Sequence, residues 1–173
     1  MNTQIVVKVV GKVREAEDIV SFELERSDGQ PLPPFSAGAH IDVQVTPEIV
    51  RQYSLCNQAG ETHRYLIAVL RDPASRGGSV AMHDQVGLGD VLTISEPKNH
   101  FPMVPAPHSV LFAGGIGVTP ILCMAERLSN TSAAFEMHYA ARAPERMAFR
   151  KRIEASPFGG LLVFSAISDG TQS

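Results

Sequence analysis

Cysteine is scarce. Cys56 and Cys123 are the two in 173 residues, too few for a disulfide framework or for a metal site built from cysteine alone. They are not spaced as Cys-x-x-Cys, which removes the usual dithiol redox motif. Cys56 follows a strand and Cys123 shares a helix face with Ile121 and Leu122, so both read as packing residues. The six histidines, His40, His63, His83 and His138 among them, show no HxxxH or HxH spacing, and no metal site is expected from them. Lysine and arginine form no cluster, and the formal net charge is −3. That gives no electrostatic case for nucleic acid or an anionic membrane as partner. No apolar run is long enough to span a bilayer. The opening run Gln4-Ile5-Val6-Val7-Lys8-Val9-Val10 is β-branched and lacks a following cleavage site, so it reads as a strand rather than a signal peptide. A cytoplasmic location is expected. Neither internal repeats nor low-complexity tracts occur.

What is present is a globular composition, 44% hydrophobic and 19% charged, with two successive rhythms. The first half alternates short β-rich runs with turns. Residues 5–13, 19–24, 40–45, 53–56, 64–70 and 91–94 are expected strands, with one short helix over residues 78–85. Asp28-Gly29 marks a turn, and Pro31, Pro33 and Pro34 make a stiff loop. Six short strands suggest a closed antiparallel barrel. From residue 109 the pattern becomes strand (110–113), glycine turn, helix (121–128), strand (135–140), helix (145–153) and strand (161–164). That is the βαβαβ rhythm of an open parallel sheet. The change falls in the proline-containing connector 96–107, and Asp169-Gly170-Thr171-Gln172-Ser173 follows the third parallel strand. The expected division is a barrel over residues 1–104 and a partial nucleotide-binding unit over residues 105–173.

Three segments can carry chemistry. In Arg51-Gln52-Tyr53-Ser54-Leu55, expected at the start of a strand, an arginine can neutralise a phosphate through its fork. Tyr53 can cover an aromatic ring, and Ser54 can hydrogen-bond a ring nitrogen. Equally, Tyr53 and Leu55 can be strand core and Arg51 a solvated edge charge. Ser75-Arg76-Gly77-Gly78-Ser79 opens the short helix, and consecutive glycines with a serine N-cap make an anion nest; the same serine would serve a bare helix start. Gly114-Gly115-Ile116-Gly117-Val118-Thr119-Pro120 joins an apolar strand to a helix, where glycines let the backbone approach a phosphate at the helix N-terminus. Arg142 stands just past the next strand, where open α/β sheets bind ligands. Tyr139 reads as the buried end of that strand.

Together and in this order, these segments resemble the ferredoxin–NADP reductase superfamily. Arg51-Gln52-Tyr53-Ser54-Leu55-Cys56-Asn57 is similar to its flavin-binding motif. The run Ala68-Val69-Leu70-Arg71-Asp72-Pro73-Ala74-Ser75-Arg76-Gly77-Gly78-Ser79 is similar to the phosphate-cradling segment of the branch that includes phthalate dioxygenase reductase and vanillate demethylase reductase. Leu70 departs from members that place a lysine there; Arg71 or Arg76 can supply the charge. The resemblance implies FMN rather than FAD, and no aromatic platform for an adenine is evident. It further implies NADH as hydride donor, with NADPH left open because Ala141-Arg142-Ala143-Pro144 stands where an acidic residue usually discriminates. Arg51, Tyr53, Ser54, Leu55, Ala68, Val69, Leu70, Arg76, Gly77, Gly78 and Ser79 would then face the flavin. Gly114, Gly115, Gly117, Thr119, Pro120 and Arg142 would face the dinucleotide. Ser54 at the reactive flavin edge and Thr119 at the nicotinamide would serve the reaction itself. The implied partner is a Rieske-type oxygenase component or another electron acceptor. The family's Cys-Gly-Pro loop and the branch's Cys-x4-Cys-x2-Cys iron–sulfur pattern do not occur, so no iron–sulfur cluster is expected in this chain. A flavin-binding module without efficient NADH turnover is the alternative.

Overall fold

The computed structural model describes residues 3–166; the stretch 169–173 lies outside them. Six antiparallel strands form the first sheet: β1 (Gln4–Ala16), β2 (Ile19–Arg26), β3 (His40–Thr46), β4 (Ile49–Ser54), β5 (Tyr65–Leu70) and β6 (Val91–Ser95), in the order β4-β3-β6-β1-β2-β5. β1 runs three residues beyond its expected end because it serves two partners, β6 along its first half and β2 along its second. Register shifts between Val9 and Gly11 and between Arg14 and Ala16 bend it from one to the other. Along it Ile5, Val7 and Val9 are buried while their neighbours face water, the period-two pattern of a half-buried strand. Their side chains join Phe22, Leu24, Ile41, Val43, Leu55, Ile67 and Ile94 in the barrel core.

The sheet curls until β4 and β5, its two ends, approach one another. No ladder joins them. Instead the chain leaving β4 makes the closure: the Cys56 N–H donates to Leu66 O at 2.9 Å. The Asn57 amide then stands in for a strand backbone, its Oδ1 accepting from the Leu66 N–H at 2.9 Å and its Nδ2 donating to Arg64 O at 3.0 Å. Asn57 is wholly buried, and its one side chain supplies two of the seam's hydrogen bonds beside that of the Cys56 N–H.

The second sheet holds three parallel strands, β7 (Ser109–Gly114), β8 (Phe135–Ala141) and β9 (Leu162–Ala166), in the order β7-β8-β9. Helix α2 (Val118–Asn130) follows β7 through a 3-10 turn, Gly115–Gly117. The helix therefore starts three residues earlier than expected, placing Thr119 and Pro120 in its first turn. The helix expected over 145–153 is instead a 3-10 turn, Pro144–Arg146, and a separate short helix α3 (Arg150–Glu154); Phe149 between them is left-handed, at φ 61°, which a continuous helix does not allow. The inner face of this sheet (Leu111, Ala113, Met137, Tyr139) and α2 share one buried cluster with the barrel residues Ile19, Cys56 and Ala68. The outer face is uncovered among the described residues: Val110, Phe112 and Val163 are exposed, and the His138 ring stacks on Phe112 at 4.9 Å. The connector of residues 96–108 meets β3 at Lys98, which exchanges both backbone hydrogen bonds with His40, and at His100, whose ring lies 5.3 Å from that of His40.

Candidate functional site

Four elements end in one region. β4 carries the Arg51-to-Ser54 motif along its second half rather than at its start, and the strand ends at Ser54 instead of continuing to Cys56. Strand alternation puts Arg51 and Tyr53 on one face and Ser54 on the other, opposite His40 of β3. Leu55 is buried, its N–H donating to Ala39 O at 2.9 Å. It is a core residue, as one of the two readings of this segment held.

Arg51 is not a free edge charge. Its guanidinium lies over the start of helix α1 (Gly78–Gln85), donating to Val50 O at 2.8 Å and to Arg76 O at 3.4 Å. A Cβ at Gly78 would stand 2.7 Å from Arg51 Nε, so glycine is what lets the two meet. Gly77, at φ 83°, takes the cap position with no side-chain cap. This corrects the expected serine N-cap, since a left-handed residue reverses the chain there at no steric cost only if it is glycine. Ser79 is buried and ties the loop together instead: its Oγ accepts from the Asp72 N–H at 3.0 Å and lies 2.9 Å from Ser75 Oγ. The far end of α1 is held by Lys12, whose Nζ donates to His83 O and Val86 O, each at 2.7 Å. His83 Nε2 in turn donates to Val69 O at 2.7 Å. The nest is thus fixed to β1 and β5.

Tyr53 Oη is buried with no hydrogen-bond partner among the described residues. Burial pushes its pKa up to about 12, with the Arg51 charge pulling the other way. A buried hydroxyl without a partner is costly; Tyr53 shares its face of β4 with Arg51, whose guanidinium meets the start of α1, where a helix leaves its first N–H groups unpaired by its own turns. This donor set suits an anionic, polar ligand such as a flavin ribityl phosphate. Arg76 is exposed, with its carbonyl rather than its side chain engaged by Arg51.

The parallel sheet brings its glycine turn to the same region. Ala68 of β5 lies in the buried cluster of Val118, Ile121 and Leu122, with Leu70 and Ile116 packed against it; Val69 faces the barrel core. Gly115 is left-handed at φ 52°, and a Cβ at Gly114, Gly115 or Gly117 would meet nothing within 4 Å. Internal packing does not demand these glycines, and the space beside them can admit a ligand. Thr119 is buried, its Oγ1 donating to Ile116 O at 3.1 Å, and so shapes the turn. Pro120 is half-buried beside it. Arg142 directly follows β8, exposed and in no ion pair among the described residues. Tyr139 is buried core, its Oη donating to Ala148 O at 3.1 Å. Both thiols are buried and pushed up to about 12 by that burial, which suits packing and not reactivity.

Two features of the region had no signal in the sequence. One is the Asn57 seam. The other is the β1–β2 turn of Glu17 and Asp18, which reaches across to Pro144–Arg146: the Glu17 N–H donates to Glu145 O at 2.8 Å, and Arg146 pairs with Glu17 at 3.2 Å and Asp18 at 3.6 Å. The second is a long-range pairing, and the first joins the chain leaving β4 to Arg64 and Leu66, seven and nine residues on; neither segment's local pattern names its partner.

A barrel with an arginine-lined nest, joined to a parallel sheet with a glycine turn, is the architecture of reductases that bring a flavin against a pyridine nucleotide. No protein-family model matches the chain. It is 57% identical over 155 residues to a vanillate O-demethylase oxidoreductase of Pseudomonas putida, covering 89% of this chain and 49% of that protein. It is 46% identical over 144 residues to a phthalate dioxygenase reductase of Burkholderia cepacia, covering 82% and 45%. A solved structure of phthalate dioxygenase reductase, described as a modular structure for electron transfer from pyridine nucleotides to an iron–sulfur centre, superposes with a TM-score of 0.93 at 39% identity, covering 98% of this chain and 54% of that one. The chain therefore spans about half the length of the curated relatives it matches. Over that half it belongs to the ferredoxin–NADP reductase superfamily, in the branch of vanillate O-demethylase oxidoreductase and phthalate dioxygenase reductase.

Proposed function

We propose that this chain is a flavin-dependent NAD(P)H oxidoreductase that takes a hydride from NADH onto FMN and delivers electrons to an oxygenase or O-demethylase component. The observation that carries it is the meeting of Arg51 with the Gly77-Gly78 nest beside the unpartnered Tyr53 hydroxyl. The names of the relatives, oxidoreductases and reductase subunits of oxygenase systems, support the same direction. Bound flavin supplies hydride acceptance and the onward release of single electrons. The chain does the rest. Residues 1–104 hold the flavin: Arg51 and the nest neutralise and orient the phosphate, Tyr53 lends its hydroxyl and ring, and Ser54 marks the reactive edge. Residues 105–173 hold the dinucleotide through the Gly114-to-Gly117 turn and Arg142, with Thr119 fixing the turn that presents the nicotinamide. The short nest favours FMN over FAD, because the run from Arg71 to Ser79 holds no aromatic residue to stack an adenine.

Cofactor released by heat should co-migrate with FMN on chromatography; FAD in its place overturns that choice. Mixing the flavin-loaded protein anaerobically with NADH should bleach the flavin absorbance. A second reading is favoured by the uncovered outer face of the three-stranded sheet: a flavin-binding module without efficient turnover. A yellow protein that NADH leaves yellow establishes that reading instead.

A further inference from the structure

The turn of Glu17 and Asp18 is touched by both binding regions. Towards the nucleotide side, Glu17 and Asp18 hold Pro144–Arg146 by one backbone hydrogen bond and two ion pairs, two residues beyond Arg142. Towards the flavin side, Asp18 O accepts the Arg71 N–H at 2.7 Å. Arg71 pairs with Asp84 of α1 at 3.0 Å, and the next residue, Asp72, gives its N–H to Ser79 in the nest. Asp18 sits in the left-handed region at φ 60°, so the turn is a defined shape rather than a slack loop. From Arg142 to Ser79 the path is a few residues of backbone and a series of polar contacts, flanked by Ala16, Ile19, Leu70, Ala141 and Met147 of the shared buried cluster.

We infer that this turn couples the two sites: dinucleotide bound at Arg142 fixes the Pro144–Arg146 loop against Glu17 and Asp18, which fixes the Arg71-to-Ser79 nest and strengthens its grip on FMN. The inference rests on the proposed function, since it needs both ligands. Its physical basis is ordering shared between sites, where the second ligand meets a segment the first has already stilled. Linkage requires that FMN raise dinucleotide affinity by the same factor. Arg146 is thus a positioning residue; it acts through the turn.

The test is FMN titration by fluorescence quenching, with and without saturating NAD+, which binds without reducing the flavin. For the unaltered chain, NAD+ should tighten FMN about fivefold or more, and FMN should tighten NAD+ equally. In Arg146→Glu, which sets a carboxylate against Glu17 and Asp18, the ratio should fall towards one. The swap Glu17→Arg with Arg146→Glu should restore it, which a loss of folding would not. The milder Arg146→Gln should lower the ratio at least about twofold, the scale of an exposed ion pair. If the unaltered chain binds FMN and NAD+ independently, or Arg146→Glu and Arg146→Gln keep the ratio, the coupling is wrong and the proposed function stands. If the unaltered chain binds neither ligand, the proposed function falls and the coupling with it.

Discussion

Arg51 is the residue on which the proposed flavin site turns. Its guanidinium is half-buried against Gly78, and its partners are two carbonyls, so most of its donors remain for an anion. Replacing it with alanine removes a charge-assisted contact. FMN affinity should fall by about one to two powers of ten, the equivalent of about 1.5–3 kcal/mol, measured by flavin titration. Unchanged affinity would make Arg51 a structural brace for the nest and nothing more. At this scale much was legible in advance. An arginine two residues before a tyrosine, and paired glycines at a helix start, suggest an anion site by residue type, and the structure brings Arg51 against Gly78. The cap was misread because Ser75 and Ser79 are both good cap residues by type, and only the backbone angle shows that Gly77 takes the position.

Among elements, the seam joins the two ends of the barrel sheet, and the Asn57 amide supplies two of its hydrogen bonds beside the one from the Cys56 N–H. Asn57→Ala strands the Leu66 N–H and Arg64 O in a buried setting, each of which costs about 1–3 kcal/mol when unpaired. Denaturant unfolding should show a loss in that range or above; a loss under about 0.5 kcal/mol would mean water takes the place of the amide. The seam is also tied to pH. Glu61 accepts from Asn57 Nδ2 at 2.9 Å and from Arg64 Nε at 3.1 Å. Burial alone would raise its pKa, but those hydrogen bonds and the Arg64 charge bring it below the usual carboxylate value. A carboxyl depressed in the folded state contributes stability that is present above its unfolded pKa and lost as pH falls through the folded one. Stability should therefore decline in acid below the ordinary range for glutamate, and Glu61→Gln should flatten that part of the profile. Strand alternation revealed nearly every strand of the barrel. It could not reveal the closure, because Asn57 follows the ladder and its amide pairs with a strand no local pattern selects. The split of the expected 145–153 helix has a similar origin: Tyr139 Oη holds Ala148 O, a tertiary bond that fixes the chain between the 3-10 turn and α3.

For the molecule as a whole, stability should be uneven. The barrel closes on itself around one core. Among the described residues the parallel sheet buries a single face, and Phe112 is 71% exposed on the other, although parallel sheets are ordinarily covered on both. Backbone amides of β7, β8 and β9 should exchange faster than those of β1, β2 and β5 in hydrogen-exchange mass spectrometry. Equal protection would show the outer face covered by something further, such as a second copy. The order of the two halves along the chain was visible in the change of rhythm near the connector. How they are joined was not, since Glu17 and Arg146 stand 129 residues apart. That separation bears on how the protein is made. Synthesis proceeds from the N-terminus and early segments fold first, so a barrel assembling at the ribosome shows two unanswered carboxylates at its first hairpin until Arg146 emerges. The bond at that tip is then tied late, and a chain halted short of it would keep its barrel but leave that hairpin tip without its partner.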